Sequence, residues 1–429
     1  MNITIVDIRT KHAATVRMPS AAGNSSSVDE VVQEILRRVK KDGDDALRYY
    51  TKKFDRAALT SIAVSAKDLA AALKNADPKL IQVLKHAAAN IKRFHAAQLR
   101  KPFTVSAPRG SRLRQIYRPV GKVGVYVPGG KAAYPSTVLM NVIPALVAGV
   151  EEVHLVSPPD TDGNIHPDVL VAAALLGVKN VYRIGGAHAI AALAFGTATV
   201  PAVDKIVGPG NIFVATAKRL VYGTVGIDSF AGPSEVVILA DDSADASYVA
   251  SDLLAQAEHD ERAVPVLITS SRRLAQQVRK EVQRMTAQAP RRRIIEASLN
   301  GQGRIYLVSS LRQGITLTNR FAPEHLEIIT SRNSEVLEQI RHAGSIFLGN
   351  HSPVAIGDYF AGPNHVLPTE GTARFSSPLS VDDFIKRSSV IEYTPAQIRA
   401  VADDVAYFAE REGLHAHAAS LRIRKEKRA

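Results

Sequence analysis

The sequence predicts a mixed α/β protein built on two doubly wound, Rossmann-like parallel sheets. Two observations predict it. From about residue 115 onward, β-branched runs ending in glycine-containing loops alternate with apolar helical stretches, which is the sequence form of a parallel sheet covered on both faces. At 429 residues, with 46% apolar and 22% charged residues, the chain is globular and too long for one ordinary core.

The first hundred residues read as mainly helical. SSVDEVVQEILRRVKKDGDDALRYYTKKF starts from a serine cap, carries apolar residues at helical spacing and breaks at Gly43. SAKDLAAALKNADPKLIQVLKHAAANIKRFHAAQLR continues the pattern, with Pro78 starting a further helix. His86 and His95 lie on these helices without sequence partners and read as surface or core residues. VGKVGVYVPGG, EEVHLVSPP, NVYRIGG and VDKIVGPGN then read as strands, each followed by a helix. Such sheets bind ligands beyond the carboxyl ends of their strands, where VPGG, IGG and GPGN fall. None of these matches G-x-G-x-x-G followed by a ribose-binding acid, so an ordinary dinucleotide fingerprint is absent. Glycine loops before helices still offer backbone N–H groups to phosphates.

A second α/β section follows. SEVVILA and AVPVLITS read as strands around the helix ASYVASDLLAQAEHD, and GRIYLVSS, HLEIITS and GSIFLGN as later strands. Residues 350–380 are loop-rich, and their apolar and aromatic content points to a functional loop. A last helical segment runs from PAQIRAVADDVAYFAEREG into LHAHAASLRIRK.

Composition narrows the chemistry. Zero cysteines exclude disulfides, thiolate nucleophiles and Cys-ligated metals, so a metal would use imidazole, carboxylate or amide donors. No uninterrupted apolar run is long enough for a membrane span, and MNITIVDIRTKHAA lacks a secretory core, which points to the cytoplasm. Lysine and arginine outnumber aspartate and glutamate 54 to 41, a net charge of +13. That charge raises the possibility of a basic nucleic-acid-binding protein. The basic segments carry no interleaved aromatics, so stacking platforms are not visible. A positive field also concentrates small anionic cofactors.

The most suggestive motif is APEHLEI, which sets Glu324 and His325 side by side after Pro323. If Pro323 opens a helix, its dipole favours the Glu324 carboxylate; the same dipole would keep His325 neutral and able to accept a proton. In LLAQAEHDERA, Gln256 and His259 share a helix face if the helix extends that far. Asp358 and His365 lie in IGDYF and GPNHV. In EREGLHAH, Gly413 stops a helix at Glu412, and His415 and His417 follow. Gln256, His259, Asp358 and one of the two late histidines would give oxygen and nitrogen donors suited to Zn²⁺.

Taken together, VGVYVPGGKAAYPSTVLMNVIPA, GPGNIFVATAKRLV, AGPSEVVILAD, LLAQAEHD, FAPEHLEI, GDYFAGPNHVLPTEGTARFSSPLSVDDFIKR and EGLHAH resemble the histidinol dehydrogenase family, in order and over nearly the whole chain. The resemblance implies a zinc- and NAD-dependent enzyme that takes L-histidinol to L-histidine in two oxidations, the last steps of histidine biosynthesis. It implies zinc held by Gln256, His259, Asp358 and His417, and substrate contacts from these residues and from Ser234, His325, His365 and Glu412. It implies Glu324 and His325 as the catalytic pair, and Tyr126, His188 and Asn211 at the NAD side. The family commonly has glutamine where this chain has His188, which would add a pH dependence near neutrality. A related zinc and NAD dehydrogenase of another small polar alcohol is the alternative. The resemblance also implies a homodimer, with no nucleic acid or membrane partner, whose exchanged C-terminal segment completes the other subunit's site. The expected division is a small N-terminal segment, 1–23; a discontinuous first α/β domain, 24–125 and 236–379; a second, NAD-side domain, 126–235; and a helical dimer arm, 380–429.

Overall fold

The computed structural model describes residues 3–16, 18–19, 26–129, 133–229 and 232–426. Gly130 of VPGG, Ala231 of AGPSE, residues 20–23 of the N-terminal segment, residues 24 and 25 after it, and the last three residues of the basic tail lie outside the described residues. The chain forms two compact units: Met1–Gln98 with Gly121–Phe384, and Leu99–Val120 with Ile385–Ala429.

The first unit holds two parallel sheets. In one, the strands Thr4–Asp7, Arg304–Leu307, Val264–Thr269, Glu235–Ala240, His325–Ile329 and Ser345–Leu348 lie side by side in that order. In the other the order is Asn180–Tyr182, Glu152–Val156, Lys122–Tyr126, Lys205–Val207 and Gly226–Ile227. Every pairing in both is parallel. The central strands EVVILA and VPVLIT are buried at all positions, as a sheet covered on both faces requires. In each sheet the chain turns back at the middle. The strand order reverses between Lys122–Tyr126 and Lys205–Val207 in one, and between Glu235–Ala240 and His325–Ile329 in the other. These switch points are where a doubly wound sheet opens a crevice.

The helices follow local signals. Gly43, at φ 55°, separates the helices Ser26–Asp42 and Asp44–Phe54, and Asp77 caps Pro78–Ala96. Residues 24–125 were expected to belong with the six-stranded sheet. Instead Val32, Leu36, Leu47 and Tyr50 pack with Ile190, Ile206 and Val214 of the five-stranded one. The amphipathic pattern marks which face of a helix is buried, but not which sheet buries it.

The second unit carries a structure that the sequence reading missed. Ile385–Glu392 pairs antiparallel with Arg112–Pro119, which pairs antiparallel with Phe103–Ser106. These strands are mostly exposed, and two of them carry several arginines and lysines, so they lack the buried apolar run or clean alternation that marks a strand. The segment from residue 380 is therefore not purely helical. Its helices Pro395–Arg411 and His415–Glu426 are separated by Gly413 at φ 76°, as the glycine suggested. Among the described residues no helix is long and apolar enough to cross a membrane.

Candidate active site

In the first unit one cavity of about 640 Å³ is lined by Ser234, Gln256, His259, Glu324, His325, Asp358, His365 and Asn211. From the five-stranded sheet the cavity takes carboxyl-end loops, Pro128–Gly129 and Gly208–Asn211, as expected. From the six-stranded sheet it takes the opposite, amino ends: Ser234 precedes the strand Glu235–Ala240, and Glu324 precedes His325–Ile329. The expectation of carboxyl-end binding therefore holds for one sheet only.

The tandem acid and imidazole are gripped by a single residue. The helix Leu311–Phe321 ends at Ala322 in the left-handed conformation, and after Pro323 the chain enters a strand. There is no helix after Pro323, so the helix N-terminus expected to act on His325 is not there. Glu324 Oε2 accepts the backbone N–H of Glu235 at 2.7 Å, while His325 Nδ1 lies 3.0 Å from the Glu235 carbonyl oxygen. Nδ1 donates there, which leaves Nε2 as the basic nitrogen of the neutral ring. Nε2 is buried, makes no hydrogen bond and lies 3.5 Å from Asp358 Oδ1. Nδ1 is also 3.5 Å from Glu324 Oε2. Glu324 sits on the bend before the strand, so the alternation that separates neighbouring strand side chains does not apply to the pair.

Electrostatics in this cluster are set by burial against charge. Burial opposes a proton on His325, but Glu324 and Asp358 outweigh it and hold the imidazole well above its usual range. Burial raises Asp358, yet the neighbouring His325, His365 and His259 bring it below the ordinary aspartate value. For His365, burial prevails over the pull of Asp358 and its pKa falls. Glu235 is pushed up to about 8, by burial and then by the charge of Glu324, so it is protonated at neutral pH.

The supporting residues come from distant elements. Asp245 caps the helix Ala246–Ala257, which ends one residue after Gln256; the His259 N–H to Gln256 carbonyl bond of 3.3 Å adds one tighter turn and brings His259 to the same cavity. The Nε2 of Gln256 is buried without a hydrogen-bond partner. His365 Nδ1 donates to the Asp358 carbonyl at 3.0 Å, and its Nε2 is 3.4 Å from Thr137 Oγ1. The loop carrying it is pinned by Asn364, whose Nδ2 donates to the Met140 carbonyl at 2.6 Å and lies 3.4 Å from His95 Nε2. His95 is fully buried and its Nδ1 is 2.8 Å from Gln98 Oε1. Sequence reading saw His95 as a residue without a partner and missed Glu235 altogether. Only the glutamate of AGPSE, next to Ser234, could have drawn attention to the latter.

Tyr126 and His188 of the first unit are not among the residues lining the cavity, and Glu412 and His417 belong to the second unit. The Tyr126 hydroxyl is buried, accepts the Gly186 N–H at 3.1 Å, and is pushed up to about 12 by burial. His188 Nε2 lies 3.2 Å from Thr51 Oγ1, with its ring near Tyr50 and Phe54. Burial brings His188 down to about 3, so it stays neutral through the physiological range. That value is well below the near-neutral range in which the substitution was expected to add a pH dependence. Glu412 and His417 belong to the second unit, where Glu412 caps the helix Pro395–Arg411 and His417 is exposed on His415–Glu426. Among the described residues no group of three or more His, Cys, Asp or Glu is arranged to hold a metal ion. The expected ligand set has only two such residues in the first unit, since Gln256 is an amide and His417 lies in the second unit.

A largely apolar cavity walled by two Rossmann-like sheets, with a carboxylate and an imidazole converging on it, defines an α/β enzyme. The comparisons with known proteins specify which. The family model for histidinol dehydrogenase matches residues 18–425. A histidinol dehydrogenase of Bacillus subtilis is 52% identical over 398 residues, 93% of this chain and 93% of that protein. One of Halalkalibacterium halodurans is 51% identical over 395 residues, 92% of this chain and 93% of that protein. The crystal structure of histidinol dehydrogenase from Elizabethkingia anophelis superposes with a TM-score of 0.94 at 38% identity, covering 98% of each chain. The chain belongs to the histidinol dehydrogenase family.

Proposed function

We propose that this chain oxidises L-histidinol to L-histidine in two successive NAD-dependent steps, holding histidinaldehyde between them, as the last steps of histidine biosynthesis in the cytoplasm. The observation that carries the reading is the Glu235 peptide. It holds Glu324 and His325 together on one cavity with Gln256, His259 and Asp358, in a chain of this family.

The residues present fit a zinc ion. Gln256, His259 and Asp358 offer amide-oxygen, imidazole and carboxylate donors to one cavity. On this reading His417 of the partner subunit would be the fourth ligand and Glu412 of the partner subunit would add a substrate contact, in a homodimer that exchanges its C-terminal segment. When bound, zinc supplies a template that orients the substrate, and NAD supplies the hydride acceptor of each step.

The chain's own residues handle protons and position. Ser234 and His365 contact the substrate. His325 Nε2 would take the alcohol proton in the first oxidation, which leaves the aldehyde. Glu324 then takes a proton from the water that adds to the aldehyde. His325 would return its proton to the carbonyl oxygen as the hydrate forms, take the hydrate's hydroxyl proton in the second oxidation, and, like Glu324, release its proton to solvent before the next turnover. Asn211, which caps the helix Ile212–Val221 through Phe213 and Val214 N–H groups, lines the cavity and would face the cofactor. Tyr126 steadies the Gly186 turn by accepting its N–H, and His188 packs against Tyr50, Phe54 and Thr51.

The test is NADH formation by purified protein with histidinol. Stripping the metal with a chelator is expected to lower turnover about 10²-fold or more, with recovery on adding Zn²⁺. Turnover indifferent to chelator would remove the metal from the account. The pH profile carries a sign. Because Glu324 and Asp358 hold a proton on His325 beyond the usual 6.5, the base form accumulates only as pH rises through that higher value. Thus kcat/KM should climb with pH, with a midpoint above 6.5; a profile flat or falling from there into the alkaline range would contradict His325 as base.

A further inference from the structure

Among the described residues the largest fully buried side chain is a lysine, Lys218, and its partner Asp228 is 3% exposed. Burying an ion pair is a weak way to stabilise a fold, since a neutral pair of similar shape often serves as well. What the pair touches explains it better. Asp228 Oδ2 accepts the N–H of Gly208 at 2.8 Å, Lys218 Nζ donates to the Gly208 carbonyl at 2.9 Å, and the two charges bond to each other. Asp228 Oδ1 also accepts the N–H of Ser229 at 2.7 Å. Both polar groups of one glycine are therefore gripped by opposite charges.

Gly208 needs such a grip. Its φ of 110° is open only to glycine, and a Cβ there would come 2.2 Å from the Tyr126 carbonyl oxygen. The residue crosses tightly over the neighbouring strand at the switch point of the five-stranded sheet. From it the chain runs through Pro209 and Gly210 to Asn211, all facing the cavity. A peptide free to rotate at Gly208 would re-aim everything up to the helix N-terminus.

We infer that Lys218 and Asp228 are positioning residues for NAD: they lock Gly208 so that the Gly208–Asn211 loop is preformed for the cofactor. This rests on the reading above that the loop is the NAD side. A preformed loop lowers the ordering cost of binding, so the effect falls on cofactor affinity rather than on the chemical step.

The test is calorimetric titration of NAD into the wild type and K218M/D228N, which removes both charges and keeps one acceptor for Gly208. The double variant should weaken NAD binding about 10–100-fold, the range seen for residues that orient binding groups. The loss should appear in KM for NAD rather than in kcat, with zinc content and KM for histidinol little changed. A folded variant that binds NAD as tightly as the wild type overturns the inference and leaves the assigned function standing. A wild type that oxidises histidinol but binds its cofactor elsewhere, with Asn211 substitutions silent, overturns the loop assignment and the inference with it. Hydrogen exchange on the wild type does not depend on the variant folding. The Gly208 amide should exchange as slowly as those of the strand Lys205–Val207, and exchange at the rate of an exposed loop would also overturn the clamp.

Discussion

Replacing His325 by Asn is expected to lower kcat/KM for histidinol by about 10²–10⁴, the usual worth of a general base. The amide nitrogen of Asn can still donate towards the Glu235 carbonyl that receives Nδ1 in the wild type, so much of the local geometry should persist. What disappears is Nε2, buried beside Asp358 and free of any hydrogen bond within the protein. The loss should be concentrated in conversion of alcohol to aldehyde, measured in a single turnover with one equivalent of NAD. A loss below about tenfold in a folded, metal-replete variant would show that another group takes the proton.

The second large effect is expected from Glu324→Gln. Glutamine can keep an oxygen on the Glu235 N–H, now 2.7 Å from Glu324 Oε2, while losing the ability to accept a proton from water. The second oxidation should slow by about 10²–10⁴ and the first by less than about tenfold, so that one equivalent of NADH appears rapidly and aldehyde accumulates. The variant should also move the pH midpoint of the first step downward. Glu324 is the strongest of the charges holding the proton on His325, and without it the imidazole gives that proton up at lower pH. Equal losses in both half-reactions would contradict the division of labour.

How much of this was visible in the chain depends on what each signal measures. Strand, glycine loop and helix in alternation report burial on both faces of a sheet, and both parallel sheets follow from it. The antiparallel sheet of the second unit was invisible because its strands bury few side chains. Pro323 is compatible with a helix start or with an extended turn, and only the pairing of His325 with Val236 of the neighbouring strand decides between them. Site residues carrying unusual chemistry, such as Gln256, His259, Asp358 and His365, stand out in the sequence and do meet at one cavity. Residues that act through their backbone do not stand out. Glu235 orients the central pair with its N–H and C=O, groups that every non-proline residue possesses. His95 fixes the His365 loop by way of Asn364, a contact across 269 positions of the sequence. His188 illustrates the reverse: a titratable residue on paper, it is silenced by burial among Tyr50, Phe54 and Thr51.

The most direct measurement is the stoichiometry of a complete reaction. Purified, zinc-loaded protein is given limiting L-histidinol and excess NAD, and NADH and histidine are both counted at the end. Two oxidations at one carbon, run by adjacent bases on one cavity, require two NADH for each histidine formed. One NADH with free aldehyde as the product, or no oxidation of histidinol by the folded protein, would contradict the account.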